Sequence, residues 1–168
     1  YTRHFFVRVL KRSPPIYWRK EMDVKERILL ELKSFFKQYA KDYRVQIAFL
    51  YGSWATGYPR GDSDVDIAIL FSTSLSDDEI FELINTLSLN ASETLAKEVN
   101  ILPVYEDFPK PMLYYNAIVL GIPVYIGDFD RYVELKLQVI SQMEDFSIFG
   151  VKWQLEVAKK TLGALRHV

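Results

Sequence analysis

Asp64 and Asp66 stand one residue apart at the head of an apolar run, Val65-Asp66-Ile67-Ala68-Ile69-Leu70-Phe71. In an extended strand, residues two apart share a face. Both carboxylates then project one way while Val65 and Ile67 enter a core. Two like charges so placed repel each other and gain nothing from packing. A divalent cation accounts for the pair, and hard carboxylate oxygens suit Mg²⁺ or Mn²⁺. Upstream, Gly52-Ser53 forms a small-residue turn directly after a second apolar run that ends at Tyr51. Such a turn can offer backbone N–H groups and a hydroxyl to a phosphate. The competing reading is a pair of solvated strand-start carboxylates and an N-cap serine. The turn and the pair occurring together favour a nucleotide–metal site.

Nearby side chains are less telling. Trp54 and Tyr58 suit stacking on a base or packing within the loop. Arg60 suits a phosphate contact but reads better as a surface arginine. Ser63 reads as structural, bonding a neighbouring backbone group.

The elements that must position these residues follow from periodicity. Asp23 is a helix N-cap, and Ile28, Leu29, Leu32, Phe35, Phe36 and Tyr39 recur at helical spacing, predicting a helix to about Asp42. Arg44 to Tyr51 and Val65 to Phe71 read as strands, with a short helical turn over Ser53 to Thr56. Ser76-Asp77-Asp78-Glu79 has the form of a capping box. It predicts a helix to about Lys97, with an irregularity near Asn90. Val99 to Val104 is a third strand, with Pro103 at an edge or strand end. Pro111 to Leu120 reads as a helix stopped by Gly121, and Pro123 to Ile126 as a short strand. The tail from Asp130 to His167 reads as two helical segments meeting near Phe149-Gly150. Residues 1–20 are hard to read; Phe5 to Leu10 suit a short strand or a contact with a partner. The expected fold class is α/β (α+β), with one small mixed β-sheet backed by helices and a helical C-terminal extension.

Composition narrows the function classes. The 168 residues suffice for one domain with a real core. The absence of Cys excludes disulfides and thiolate chemistry. The only histidines, His4 and His167, lie near the two ends, which argues against a triad or a His-rich zinc site. Without Cys, a signal-type apolar segment or a membrane-length run, the expected setting is the cytoplasm, with no membrane partner. Charge is uneven: residues 1–44 hold 12 Lys/Arg against 5 Asp/Glu, and residues 45–130 hold 3 against 13. An acidic site repels bare phosphates, so a nucleotide arrives with its metal. The basic N-terminal third suits a solvated helix face better than a nucleic-acid surface, which remains a third reading.

Gly52-Ser53, ten intervening residues, then Asp64-Val65-Asp66 resembles the signature of the DNA polymerase beta-like nucleotidyltransferase superfamily. The spacing and the order of elements look most like the minimal nucleotidyltransferase (MNT) family. Gly121-Ile122-Pro123-Val124-Tyr125-Ile126 is similar to that family's closing segment. The resemblance implies a nucleotidyltransferase domain at 23–127, preceded by an extension at 1–22 and followed by a helical extension at 128–168. It implies that Asp64 and Asp66 are catalytic metal ligands for Mg²⁺ or Mn²⁺, and that Gly52 and Ser53 hold the phosphates of an NTP, ATP first. A nucleotidyl group would pass to an acceptor hydroxyl with release of pyrophosphate. Members carry a third carboxylate on the next core strand, and here Asn100 occupies that position. An amide offers an oxygen but no charge, and it cannot act as a base. Glu98, two residues earlier on the same strand face, is the alternative source of a third carboxylate. Many MNT proteins pair with a HEPN-domain toxin, so a protein partner of that type is implied, with self-association left open. The other reading is a binding module, an MNT domain whose catalysis is weakened at Asn100.

Overall fold

The computed structural model describes residues 23–150, 152–157 and 159. The expected short strand at Phe5–Leu10 and the end of the C-terminal tail lie outside them. Helix α1 (Val24–Tyr39) leads into strand β1 (Val45–Tyr51), the short helix α2 (Ser53–Thr56) and strand β2 (Val65–Phe71). Helix α3 (Asp77–Leu95), strand β3 (Val99–Pro103), helix α4 (Pro111–Tyr114), strand β4 (Ile122–Ile126) and helix α5 (Phe129–Asp145) follow.

The strands form one four-stranded sheet in the order β3-β2-β1-β4. β1 runs antiparallel to β2 and β4, and β2 runs parallel to β3. This is the small mixed sheet backed by helices that the element order predicts. Pro103 and Pro123 both sit on edge strands, where a missing N–H costs no ladder bond.

Both faces of the sheet are covered. On one, Val65, Ile67 and Ile69 of β2 pack with Ile28, Leu32 and Phe36 of α1 and with Leu87 and Ala91 of α3. On the other, Ile47, Phe49, Ala68 and Leu70 pack with Tyr114, Ala117, Ile118, Leu135 and Val139. Two buried faces explain why β1 reads as a nearly continuous apolar run rather than a clean alternation. They also place α5 in the same core as the central strands.

Some boundaries differ from expectation. α1 ends at Tyr39, and the chain turns through Arg44, whose φ is 53°. α3 passes Asn90 without interruption, because the Asn90 amide bonds the Tyr43 hydroxyl instead of competing for helix backbone. It ends at Leu95, where Ala96 takes a left-handed conformation. The expected helix from Pro111 widens after Tyr114 into a π-type turn over Tyr115–Val119, closed by Leu120 N–H to Tyr115 C=O at 3.2 Å. Gly121 ends it, and a Cβ there would collide with the Ala117 carbonyl oxygen. α5 is followed by a second π-type turn at Phe146–Gly150, close to the expected junction.

The capping box at α3 is complete. Ser76 Oγ accepts from Glu79 N–H at 3.4 Å, and the Glu79 carboxylate accepts from Ser76 N–H at 2.8 Å. That pairing holds the Glu79 carboxyl below its usual range, chiefly through the Ser76 backbone. Replacing Ser76 with alanine is expected to cost about 1 kcal/mol, read as a shift in the urea midpoint at unchanged slope.

Candidate functional site

The site is built at the C-terminal end of β1 and the N-terminal ends of β2 and β3. Three registers converge there. Tyr51 pairs with Asp66 across β1 and β2, and Asp66 pairs with Asn100 across β2 and β3. Paired residues share a face, so Tyr51, Asp66 and Asn100 lie side by side, with Asp64 just ahead of Asp66. Their neighbours Val65 and Val99 are buried on the opposite face. Alternation thus delivers the carboxylates to the surface by burying the residues between them.

Asp64 and Asn100 are exposed, whereas Asp66 is partly buried. The Asn100 amide Nδ2 donates to Asp64 Oδ2 at 3.3 Å. Burial pushes the Asp66 carboxyl up, the Asn100 amide opposes the shift, and the charge of Asp64 adds to it. Ionised Asp66 is therefore an under-compensated negative charge.

The turn after β1 meets this carboxylate directly. Gly52 has φ 71° and ψ −149°, a conformation available to glycine. A Cβ at Gly52 would collide with Asp66 Oδ2. The missing side chain is what allows the turn and the carboxylate to abut. Ser53 begins α2, whose first backbone bonds run from Ala55 N–H and Thr56 N–H to Gly52 C=O at 3.2 and 3.1 Å. The amides of Ser53 and Trp54 precede that ladder and are not consumed by it.

The donor chemistry fits a divalent cation: two carboxylates and an amide whose oxygen faces them after a half-turn about its side-chain bond. Among the described residues no group of three or more His, Cys, Asp or Glu side chains could hold a metal. Glu98 therefore does not restore a third carboxylate. Its backbone is used instead, accepting from Val65 N–H at 2.8 Å. Fixed by the strand ladder, the side chain stays two residues out of step with Asp66.

Other candidates separate by burial. Trp54 is 2% exposed and belongs to the core, so it is not a base-stacking platform. Tyr58 is 86% exposed at the loop tip. Arg60 is exposed, and its backbone N–H donates to Ser63 Oγ at 2.8 Å, so Ser63 is the structural residue its position suggests.

Tyr51 had no role in the sequence reading. Burial, with the charge of Asp66 second, pushes its hydroxyl up to about 12. It stays neutral and adds no third negative charge beside the pair. The two-residue period of a strand carried the only hint, since it puts Tyr51 on the face of Ile47 and Phe49. Lys25 and Lys97, which bond the carbonyls of Ala55 and Gly61 at 3.0 Å each, had no local signal at all.

A cavity of about 350 Å³ lies elsewhere, lined by Tyr43, Arg44, Leu75 and Glu79 at the opposite end of β1. It contains none of Gly52, Ser53, Asp64, Asp66 and Asn100. No helix among the described residues is long and apolar enough to cross a membrane.

Solved structures that resemble the chain in fold include the following three. One is a toxin–antitoxin with AMP-PNP, 19% identical with a TM-score of 0.59, covering 75% of this chain and 98% of that one. Another is a tri-AMPylated Shewanella oneidensis HEPN toxin in complex with MNT antitoxin, 16% identical with a TM-score of 0.56, covering 77% and 98%. A third is the toxin–antitoxin MntA–HepT, 17% identical with a TM-score of 0.55, covering 77% and 97%. No curated protein sequence matches the chain significantly. The profile of the family described as Polymerase beta, Nucleotidyltransferase matches residues 31–130, a span that holds the Gly52-Ser53 turn, both aspartates and Asn100, and the chain belongs to that family.

Proposed function

We propose that the chain binds an NTP, ATP first, together with Mg²⁺ or Mn²⁺, and transfers its nucleotidyl group to an acceptor hydroxyl. The observation that carries this reading is the contact between Gly52 and Asp66, which sets a phosphate-type turn against a pair of metal-type carboxylates. Asp64 and Asp66 would hold the cation, which supplies charge neutralisation at the phosphates. Ser53 and the backbone at Gly52 orient the phosphate chain. A bond forms between the acceptor oxygen and the α-phosphorus, the bond to the β-phosphate oxygen breaks, and pyrophosphate leaves. The hydroxyl proton passes to water, because the Asn100 amide cannot accept it. Nucleotide-bound and AMPylated toxin–antitoxin structures of similar fold support ATP as donor and a HEPN-type protein as acceptor. The cytoplasm supplies both.

One observation favours a second reading. Asn100 stands in register with Asp66, and no third acid joins the described pair. A domain so arranged holds a partner while transferring slowly or not at all. The chain is to be incubated with α-labelled ATP, Mg²⁺ or Mn²⁺ and a candidate HEPN partner. Label on the partner that disappears in Asp64→Ala supports transfer. Absence of label, with partner binding intact in Asp64→Ala, leaves the binding module.

Asn100→Asp is expected to raise the transfer rate at least about tenfold, since a positioned base contributes about 10²–10⁴-fold. The same change is expected to lower the thermal midpoint without metal, because it adds a third like charge. Single-turnover rates and melting curves with and without Mg²⁺ check both.

A further inference from the structure

We propose that Lys97, which lies outside the Gly-Ser and Asp-x-Asp stretch, is a positioning residue for Asp64. This inference rests on the metal-site reading given above. Asp64 is exposed, and its place depends on the loop that delivers it. That loop is held from both sides by two consecutive residues of the α3–β3 turn. The Lys97 ammonium donates to Gly61 C=O at 3.0 Å, and Glu98 C=O accepts from Val65 N–H at 2.8 Å. Asp64 sits between these two anchors.

Lys97 is itself fixed. Its N–H donates to Ser92 C=O at 3.3 Å, and Ser92 Oγ accepts from Val99 N–H at 3.0 Å. Its ammonium lies 5.1 Å from the centre of the Trp54 ring, within cation–π range. Trp54 closes the circuit, since its Nε1 donates to Ser63 C=O at 3.2 Å. Ser63 N–H in turn donates to Arg60 C=O at 3.0 Å. A buried indole on the turn after β1 and a lysine in the α3–β3 turn thus grip the residues immediately before Asp64. Outer contacts of this kind set metal affinity by orienting the ligand.

The test is Mn²⁺ binding to the nucleotide-free protein, followed by electron paramagnetic resonance, for wild type, Lys97→Met, Lys97→Arg and Asp64→Asn. Lys97→Met is expected to weaken Mn²⁺ binding about tenfold, the lower end of the range for outer-shell changes. Lys97→Arg keeps the charge, the ring contact and a donor, and is expected to restore affinity to within about threefold. The sign is informative. A lysine acting only as a nearby charge predicts tighter Mn²⁺ binding in Lys97→Met, because a repelling cation is gone. Binding in Lys97→Met that equals or exceeds wild type overturns the proposal while leaving the metal site standing. A melting point that falls in Lys97→Met with Mn²⁺ affinity unchanged overturns it equally, assigning a purely structural role. Absence of Mn²⁺ binding in wild type overturns the proposal and the metal reading together.

Discussion

Asp66→Asn is expected to reduce nucleotidyl transfer by on the order of 10³-fold, the scale on which preorganised charge stabilisation matters in group transfer. The fold is not expected to suffer. Burial raises the Asp66 carboxyl, and Asp64 raises it further. The folded state therefore holds that proton more tightly than the unfolded chain does. For such a group, stability falls as pH rises from the unfolded value through the raised folded one. The cost is complete above the raised folded value and absent below the ordinary carboxylate range. Asparagine never pays it, so the metal-free variant is expected to melt at or above the wild-type midpoint at neutral pH. The difference should vanish in acid. Mg²⁺ reverses the order, because a ligand that binds only the folded wild type stabilises it alone. Melting curves at two pH values, with and without Mg²⁺, and a transfer assay give the full pattern. An Asp66→Asn protein that keeps wild-type transfer would remove Asp66 from the chemistry.

Gly52→Ala is expected to damage activity and stability together. The φ of 71° and ψ of −149° cost a residue with a Cβ about 1–3 kcal/mol. For a chain of this size, that corresponds to a fall of about 3–10 °C in the thermal midpoint. The new methyl also meets Asp66 Oδ2, so either the turn backs away or the carboxylate swings aside. Both movements separate the Gly52-Ser53 turn from Asp64 and Asp66, the proposed phosphate donors from the proposed metal ligands. A displacement of about 1 Å in such a constellation costs about 10²-fold in rate. Ser53→Ala provides the contrast, since it removes a hydroxyl without touching the backbone. It is expected to raise KM for the nucleotide with little change in the midpoint. A Gly52→Ala protein with wild-type transfer would separate the turn from the site.

Alternation in Asp64-Val65-Asp66-Ile67 determined the face on which the carboxylates emerge, because strand periodicity is local and burying Val65 and Ile67 leaves no choice. The Gly-Ser turn, the Ser76 capping box and the order of elements were legible for the same reason: each depends on residues a few positions apart. Boundaries were less so. The end of α1 and the π-type turn after Tyr114 depend on which side chains the core accepts, a matter of packing across elements. The continuity of α3 through Asn90 depends on Tyr43, a residue from another element.

Within the site, the division is the same. The sequence alone singled out Asp64, Asp66, Gly52 and Ser53 as candidates and placed an amide where the resemblance expects an acid. Only the tertiary structure decided that Asn100 stands beside Asp64 while Glu98 contributes its carbonyl to the ladder, since register is a property of two strands. It alone drew Trp54 into the core, brought Tyr51 against Asp66, and carried Lys97 across 36 residues to Gly61. Pairings at that separation leave no trace in local periodicity, because their free energy comes from groups that meet only once the sheet has formed.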